Sequence, residues 1–379
     1  MRRPPSSACA GKFLLPLAVS VHLQVYRYSF ALPILIGSLL AGCRDESPTE
    51  PTSTAAAPTP GPTGALVGAP NTWEQVAPAP RARYSTVAGS AVNANGRSIM
   101  YVFGGASLEE GQPGISTVEN YNIASNHWGT KANMLGGAGG IHGVGDINGK
   151  LYLPGGISYG GDGYVSDAGL RIYNPAADTW TWGADMPVAS SNGVAGVIDN
   201  RLYVLAGSEQ AYLPDGTPCV DCAGVASRRL FRYNPAQNQW VSRKSSPNVH
   251  IGGFAGVING KLYVAGGSQG GALTRALDIY NPATNTWTSG APLPSTHYRG
   301  VGVALAGQLY VIGGFTDEVV AYNPNTNRWV KKAPFPAPTA RLMSGAKVTL
   351  DGKARIVIHA GLQDGDEPDN GRATYVYTP

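Results

Sequence analysis

Chemistry-bearing motifs are missing from this chain. No nucleophile elbow, Walker loop or zinc-protease helix can be read in its 379 residues. That removes the simplest readings as a hydrolase, a nucleotide-binding enzyme or a metalloprotease. Cysteine is scarce: of four, only Cys219 and Cys222 lie beyond residue 43. Their Cys-x-x-Cys spacing has no helix start, second cysteine pair or nearby histidine cluster to support a redox or metal site. Net charge disappears once the N-terminal segment is set aside. Of 28 Lys and Arg, Arg2, Arg3, Lys12 and Arg27 precede Cys43, where no acid occurs, so the remaining 24 balance 24 Asp and Glu. This neutrality leaves no general electrostatic footprint for nucleic acid.

What is present is a phrase that returns six times: an apolar run, a small-residue doublet and a loop. The doublets are Gly104-Gly105, Gly155-Gly156, Ala206-Gly207, Gly266-Gly267, Gly313-Gly314 and Ala360-Gly361. Five copies continue with a tyrosine seven residues before a tryptophan: Tyr121/Trp128, Tyr173/Trp180, Tyr233/Trp240, Tyr280/Trp287 and Tyr322/Trp329. Repeats of about 40–50 residues with four short strands each predict an all-β propeller. Within GVIDNRLYVLAG at 196–207, Asp199-Asn200 signals a tight hairpin. Leu202 and Val204 face one way and Tyr203 and Leu205 the other, so both faces of that strand are apolar and belong between neighbouring sheets.

NGKLYVAGGS at 259–268 and LDIYNPATNTW at 277–287 resemble the kelch repeat, and the resemblance runs over residues 70–379. It implies one four-stranded blade per repeat around a central channel. The last copy stops at TYVYTP, 374–379, while APNTW at 69–73 reads like ATNTW at 283–287. Trp73 is therefore expected to supply the outer strand of the last blade, giving six blades over 69–379 and no free edge.

Residues 30–43, FALPILIGSLLAGC, end in Leu40-Ala41-Gly42-Cys43, which resembles a bacterial lipobox. The apolar run is too short to span a bilayer comfortably, so 1–42 reads as a signal peptide and Cys43 as the lipidated residue. The stretch before Arg27 is long for a signal, and Val25 is a candidate alternative start. Arg44 in place of Asp favours the outer membrane in a diderm envelope. Residues 43–68 form a Pro/Thr/Ala-rich tether. An exported chain also favours a local disulfide between Cys219 and Cys222.

The kelch geometry gathers the doublet loops and the entries into the inner strands on one face. The loops are long at 106–117, 157–168, 208–228 and 362–372 and short in the fourth and fifth copies. The inner-strand entries carry Arg83, His142, Asn192, His250, His297, Arg299 and Arg341. Read functionally, these line a pocket for a polar or anionic ligand; read structurally, they bond loop carbonyls and hold the channel walls. Asp364, Asp366 and Asp369 form a weak calcium candidate in a loop without a complete calcium motif. No cofactor is expected. Galactose oxidase shares the fold, but its copper site needs a tyrosine cross-linked to cysteine, which this chain does not offer. The expected function is noncatalytic binding of a protein or glycan by a monomer. The alternative is a sugar-acting enzyme similar to the kelch sialate mutarotases. An intracellular ubiquitin-ligase adaptor is excluded by the missing BTB-like helical domain and by the lipobox.

Overall fold

The computed structural model describes residues 68–379 apart from 94–95, 108–113, 161–162, 221, 360 and 364–370. All lie in one compact unit, Pro58–Pro379. The expected signal peptide, Cys43 and the tether before residue 68 fall outside the described residues. So do Asp364, Asp366 and Asp369. Every helix or strand among the described residues is a β-strand. None is a helix long and apolar enough to cross a membrane.

Among the described residues, six four-stranded antiparallel sheets hold most of the strands. Five of them follow chain order. The first comprises Val87–Val92, Ser98–Phe103, Val118–Asn122 and His127–Lys131. The sixth combines Ser344–Leu350, Lys353–His359 and Thr374–Thr378 with the N-terminal strand Thr72–Val76. Trp73 stands opposite Tyr377 in that pairing.

The strand Arg201–Leu205 illustrates how the core forms. Leu202 and Val204 pack with Tyr152 and Leu170 of the preceding sheet. Tyr203 and Leu205 pack with Leu262 and Val264 of the following one. A strand apolar on both faces is stable only between two neighbours, which is why the sheets stack side by side. Four doublets have both glycines at positive φ, beginning with Gly104 at 57° and Gly105 at 94°. A side chain there would be strained. Ala206-Gly207 departs from this, because neither residue adopts positive φ.

A second repeated device ties neighbouring sheets at their outer edge. Tyr121 donates its hydroxyl to Asn126 Oδ1 at 2.8 Å, and the same oxygen accepts from Ala77 N at 2.9 Å. Trp128 Nε1 donates back to Ala77 O at 2.9 Å. The same circuit recurs at Tyr173, Asp178, Trp180 and Ala132, and at Tyr233, Asn238, Trp240 and Ala184. It recurs again on Lys244 and Ala291. In the sixth copy the tyrosine is Tyr377 and the other groups are N-terminal: Tyr377 donates to Asn71 Oδ1, which accepts from Ala333 N, and Trp73 Nε1 donates to Ala333 O. The polar tips of these buried aromatics are thus satisfied, as burial requires.

Three of the expected long loops contain further β-structure: in 106–117, Ala106–Ser107 pairs with Arg83–Tyr84. The segment 157–168 largely continues the ladder, with Ser166 opposite Ile157 and a register shift between Asp167 and Leu170. Within 208–228, Ser208–Glu209 and Val225–Ala226 join Ser190–Ser191 in a small three-stranded sheet.

Candidate functional site

Residues from one edge strand of each of the six sheets line a channel-like cavity of about 420 Å³. Small residues line it because the strands crowd there. A Cβ on Gly256, for example, would fall 2.9 Å from Ala304 Cβ on the next inner strand.

One mouth of the channel is framed by a head-to-tail circuit of backbone hydrogen bonds. Ser85 N donates to Leu342 O, Leu342 N to Arg299 O, Arg299 N to Gly252 O, Gly252 N to Asn192 O, Asn192 N to Gly140 O, and Gly140 N to Ser85 O, all at 2.6–3.2 Å. Each of the six residues has φ between 53° and 61°. Four of them are not glycine, so the circuit holds conformations that L-residues otherwise avoid. Its amide hydrogens are consumed, and recognition at this mouth falls to side chains.

Two residues before three of these positions lie the side chains singled out as ligand contacts. Arg83, His250 and His297 are fully buried. Arg83 Nη1 donates to Gly104 O at 3.1 Å and Nη2 to Glu119 Oε2 at 2.6 Å. His250 Nδ1 bonds Gly266 O at 2.8 Å and its Nε2 bonds Asp278 at 3.2 Å. His297 Nδ1 bonds Gly313 O at 2.9 Å and its Nε2 bonds Glu318 at 3.1 Å. Each therefore pins the first glycine of its doublet and pairs with a carboxylate at the start of the third strand. Buried and partnered in this way, the three side chains sit beneath the mouth and hold its wall. Removing Arg83 would leave the buried Glu119 only the more distant Arg81, at 4.0 Å, as a counter-ion. Burial pushes the Glu119 carboxyl up, against the pull of Arg83's charge and hydrogen bond. Glu318 is held below the usual carboxylate range: burial opposes this, but hydrogen bonds from Ser295, Lys331 and His297 outweigh it.

His142, Asn192 and Arg299 do line the channel. His142 is buried, with Nε2 2.9 Å from Ser190 Oγ and Nδ1 without a partner. Arg299 Nε is buried without a hydrogen-bond partner, and its guanidinium lies 5.0 Å over the Tyr298 ring. Tyr298 stacks on Phe315 at 6.3 Å with ring planes 8° apart, and Arg341 lies 5.5 Å over Phe315. The result is a run of guanidinium, ring, ring and guanidinium. Phe315 is 58% exposed at a φ of 69°. A bulky residue held there stores strain of order 1–3 kcal/mol, the kind that gathers at binding sites. Sequence reading named both arginines but missed Tyr298 and Phe315. The available signal was an aromatic directly after Gly313-Gly314, in a short loop with no core to join.

Other candidates are placed as follows. Cys219 and Cys222 are bonded to each other, with Cα atoms 5.5 Å apart. Against the sequence reading, Gly266-Gly267-Ser268-Gln269-Gly270 does carry the letters of a nucleophile elbow, but no helix follows it among the described residues, and Ser268 Oγ accepts from Gly271 N at 3.0 Å. Among the described residues no group of three or more His, Cys, Asp or Glu is placed to hold a metal.

Known proteins place this geometry. A family model described as the kelch motif matches residues 253–294. Kelch-like protein terF of Aspergillus terreus is 27% identical over 177 residues, covering 45% of this chain and 37% of that protein. Kelch-like protein 38 of Rattus norvegicus is 27% identical over 228 residues, covering 52% and 38%. Kelch-like ECH-associated protein 1B of Danio rerio is 36% identical over 103 residues, covering 27% and 16%. In each case the match spans well under half of the relative. The solved structure of YjhT superposes with a TM-score of 0.61 at 16% identity, covering 78% of this chain and 94% of that one.

Proposed function

We propose that this chain, a kelch-repeat β-propeller, is a noncatalytic module that binds a protein or glycan through the face carrying the doublet loops. We read it as six-bladed and closed by its N-terminal strand. Support comes from six copies of the outer-edge circuit and from the hydrogen-bonded sequence of six mouth residues that returns to Ser85. The observation that carries the binding reading is the exposed Phe315 stacked on Tyr298 between Arg299 and Arg341. Aromatic and arginine side chains on a rigid scaffold are the usual anchors of recognition. Arg299→Ala with Arg341→Ala is expected to weaken capture of the partner by tenfold or more. Unchanged thermal melting would show that the fold survives. Glycan-array and pull-down screening of the full chain supplies the partner. Unchanged binding by this double variant, with loss on mutation of the opposite-face turns at Asn259 or Asn281, would place the site on the wrong face.

The sialate mutarotase-like reading has less support. A catalytic pocket needs an acid or base within reach of the substrate. Three candidate imidazole and guanidinium groups are tied to carbonyls and carboxylates. His142, which does line the channel, is kept neutral by burial, with its pKa pushed down to about 3.

Export and anchoring rest on the Leu40–Cys43 lipobox. Cys43→Ser is expected to leave an unprocessed, unacylated precursor, seen by intact mass spectrometry of the membrane fraction. A wild-type mature terminus elsewhere, with no acyl chain, would overturn the anchor.

A further inference from the structure

A second cavity, of about 430 Å³, lies away from the arginine–aromatic run. One wall is the extended hairpin Lys150–Gly160 and Gly163–Asn174, which contributes Tyr164 and Ser166. The other is built by the small sheet and the disulfide loop, with Ser208, Gln210 and Cys222. Ser191 and Asn192 complete the lining. Gln210 is the strut between the walls. Its Oε1 accepts from Ser166 N at 2.6 Å, and its Nε2 donates to Ala211 O and Cys219 O, each at 2.8 Å. The cleft's width is thus tied through Cys219 to the disulfide.

The lining chemistry is selective. Among the described residues no charged side chain contributes to it. Hydroxyl and amide groups of three serines and Asn192 face the space, and Ser191 Oγ accepts from Ser166 Oγ and Asn192 Nδ2, each at 3.2 Å. Ser208 Oγ and Asn192 Oδ1 keep unused hydrogen-bonding capacity among the described residues. Tyr164 is half exposed. Groups that both donate and accept match the hydroxyls of a sugar, and an aromatic ring matches its apolar C–H face. A carboxylated or phosphorylated ligand would lose hydration here and find no counter-ion. The volume lies within the ordinary range for small-molecule sites, about 300–1,000 Å³.

We infer that this cleft binds a neutral saccharide, its ring stacked on Tyr164 and its hydroxyls bonded to Ser208 and Asn192. The inference rests on the reading of the loop face as the binding face and names a ligand class for one part of it. The test is a microarray of neutral, sialylated and uronate-bearing oligosaccharides probed with the full chain, followed by calorimetry with the strongest neutral glycan. Neutral glycans should be selected. Tyr164→Ala and Ser208→Ala should each weaken affinity at least tenfold, while Tyr164→Phe, which keeps the ring, retains most of it. Reduction of Cys219–Cys222 should weaken it as well, by loosening the Gln210 strut. Selection of acidic glycans alone, a blank array, or full affinity in Tyr164→Ala overturns the inference. A blank array together with a protein partner that depends on Arg299 and Arg341 would sink the saccharide cleft and leave the binding face standing. Failure of both assays would remove the face itself.

Discussion

A chain lacking residues 1–76 is expected to lose several kcal/mol of stability, whereas one lacking only 1–67 should melt almost as the full chain does. The difference lies in the strand Thr72–Val76 and the residue that precedes it. Trp73 packs on Phe335 and Tyr377, with ring centroids at 5.0 and 4.9 Å. It also donates to Ala333 O, and Asn71 takes the hydroxyl of Tyr377 and the amide of Ala333. Removing the strand uncovers the edge of Thr374–Thr378, strips Phe335 of an aromatic neighbour and leaves the Tyr377 hydroxyl without its acceptor. Trp73→Ala alone should cost about 3 kcal/mol, the lower end for such truncations because the ring is only half-buried. In a domain this large that corresponds to a fall in Tm of roughly 5 °C. Denaturant titrations of the two truncations and the point variant check this. Equal midpoints for both truncations would refute the closing role of the N-terminal strand.

The pairing of Thr72–Val76 with Thr374–Thr378 was legible because the segment repeats the letters of the other copies: APNTW at 69–73 against ATNTW at 283–287. The sheets were legible for the same reason. Doublets, Asn-rich turns and Tyr/Trp pairs each answer to a local backbone demand, so they recur as letters. The mouth circuit was not legible. Its positions hold Ser85, Gly140, Asn192, Gly252, Arg299 and Leu342, and what they share is a conformation imposed by neighbouring strands, not a residue type. The buried partners of Arg83, His250 and His297 were hidden for a related reason. A polar residue at a repeated offset looks the same in sequence whether it faces a ligand or a carbonyl. The partners that decide the matter, Glu119, Asp278 and Glu318, lie 36, 28 and 21 residues away. Arg299 and Arg341 were named from their positions, but the rings that organise them come from Tyr298 and from Phe315 of a loop set aside as short.

Mild acid is expected to destabilise this protein well before its carboxylates titrate. His142 and His359 are buried, and burial lowers both pKa values from about 6.5 to about 3; at His359 the charge of Arg83 lowers it further, while the nearby Gly371 backbone opposes. In the unfolded chain both imidazoles take up protons as pH falls through about 6.5. In the folded chain they remain neutral until about pH 3, so between these values the unfolded state binds more protons. The stability from these two groups is therefore fully present above the unfolded pKa and is lost as pH falls. Each buried imidazole costs about 1.4 kcal/mol per pH unit in that window, and from pH 7 to pH 5 the pair should remove about 4 kcal/mol. Glu318 and Asp178, both held below the usual carboxylate range, add their own losses only at lower pH. Urea titrations at pH 7 and pH 5 measure the effect. The double variant His142→Gln, His359→Gln separates its cause, since it should be less stable at pH 7 yet show a much flatter dependence on pH. Equal stability of the parent at the two pH values, or a double variant that keeps the parent's slope, would mean that these imidazoles are not the groups that titrate on unfolding.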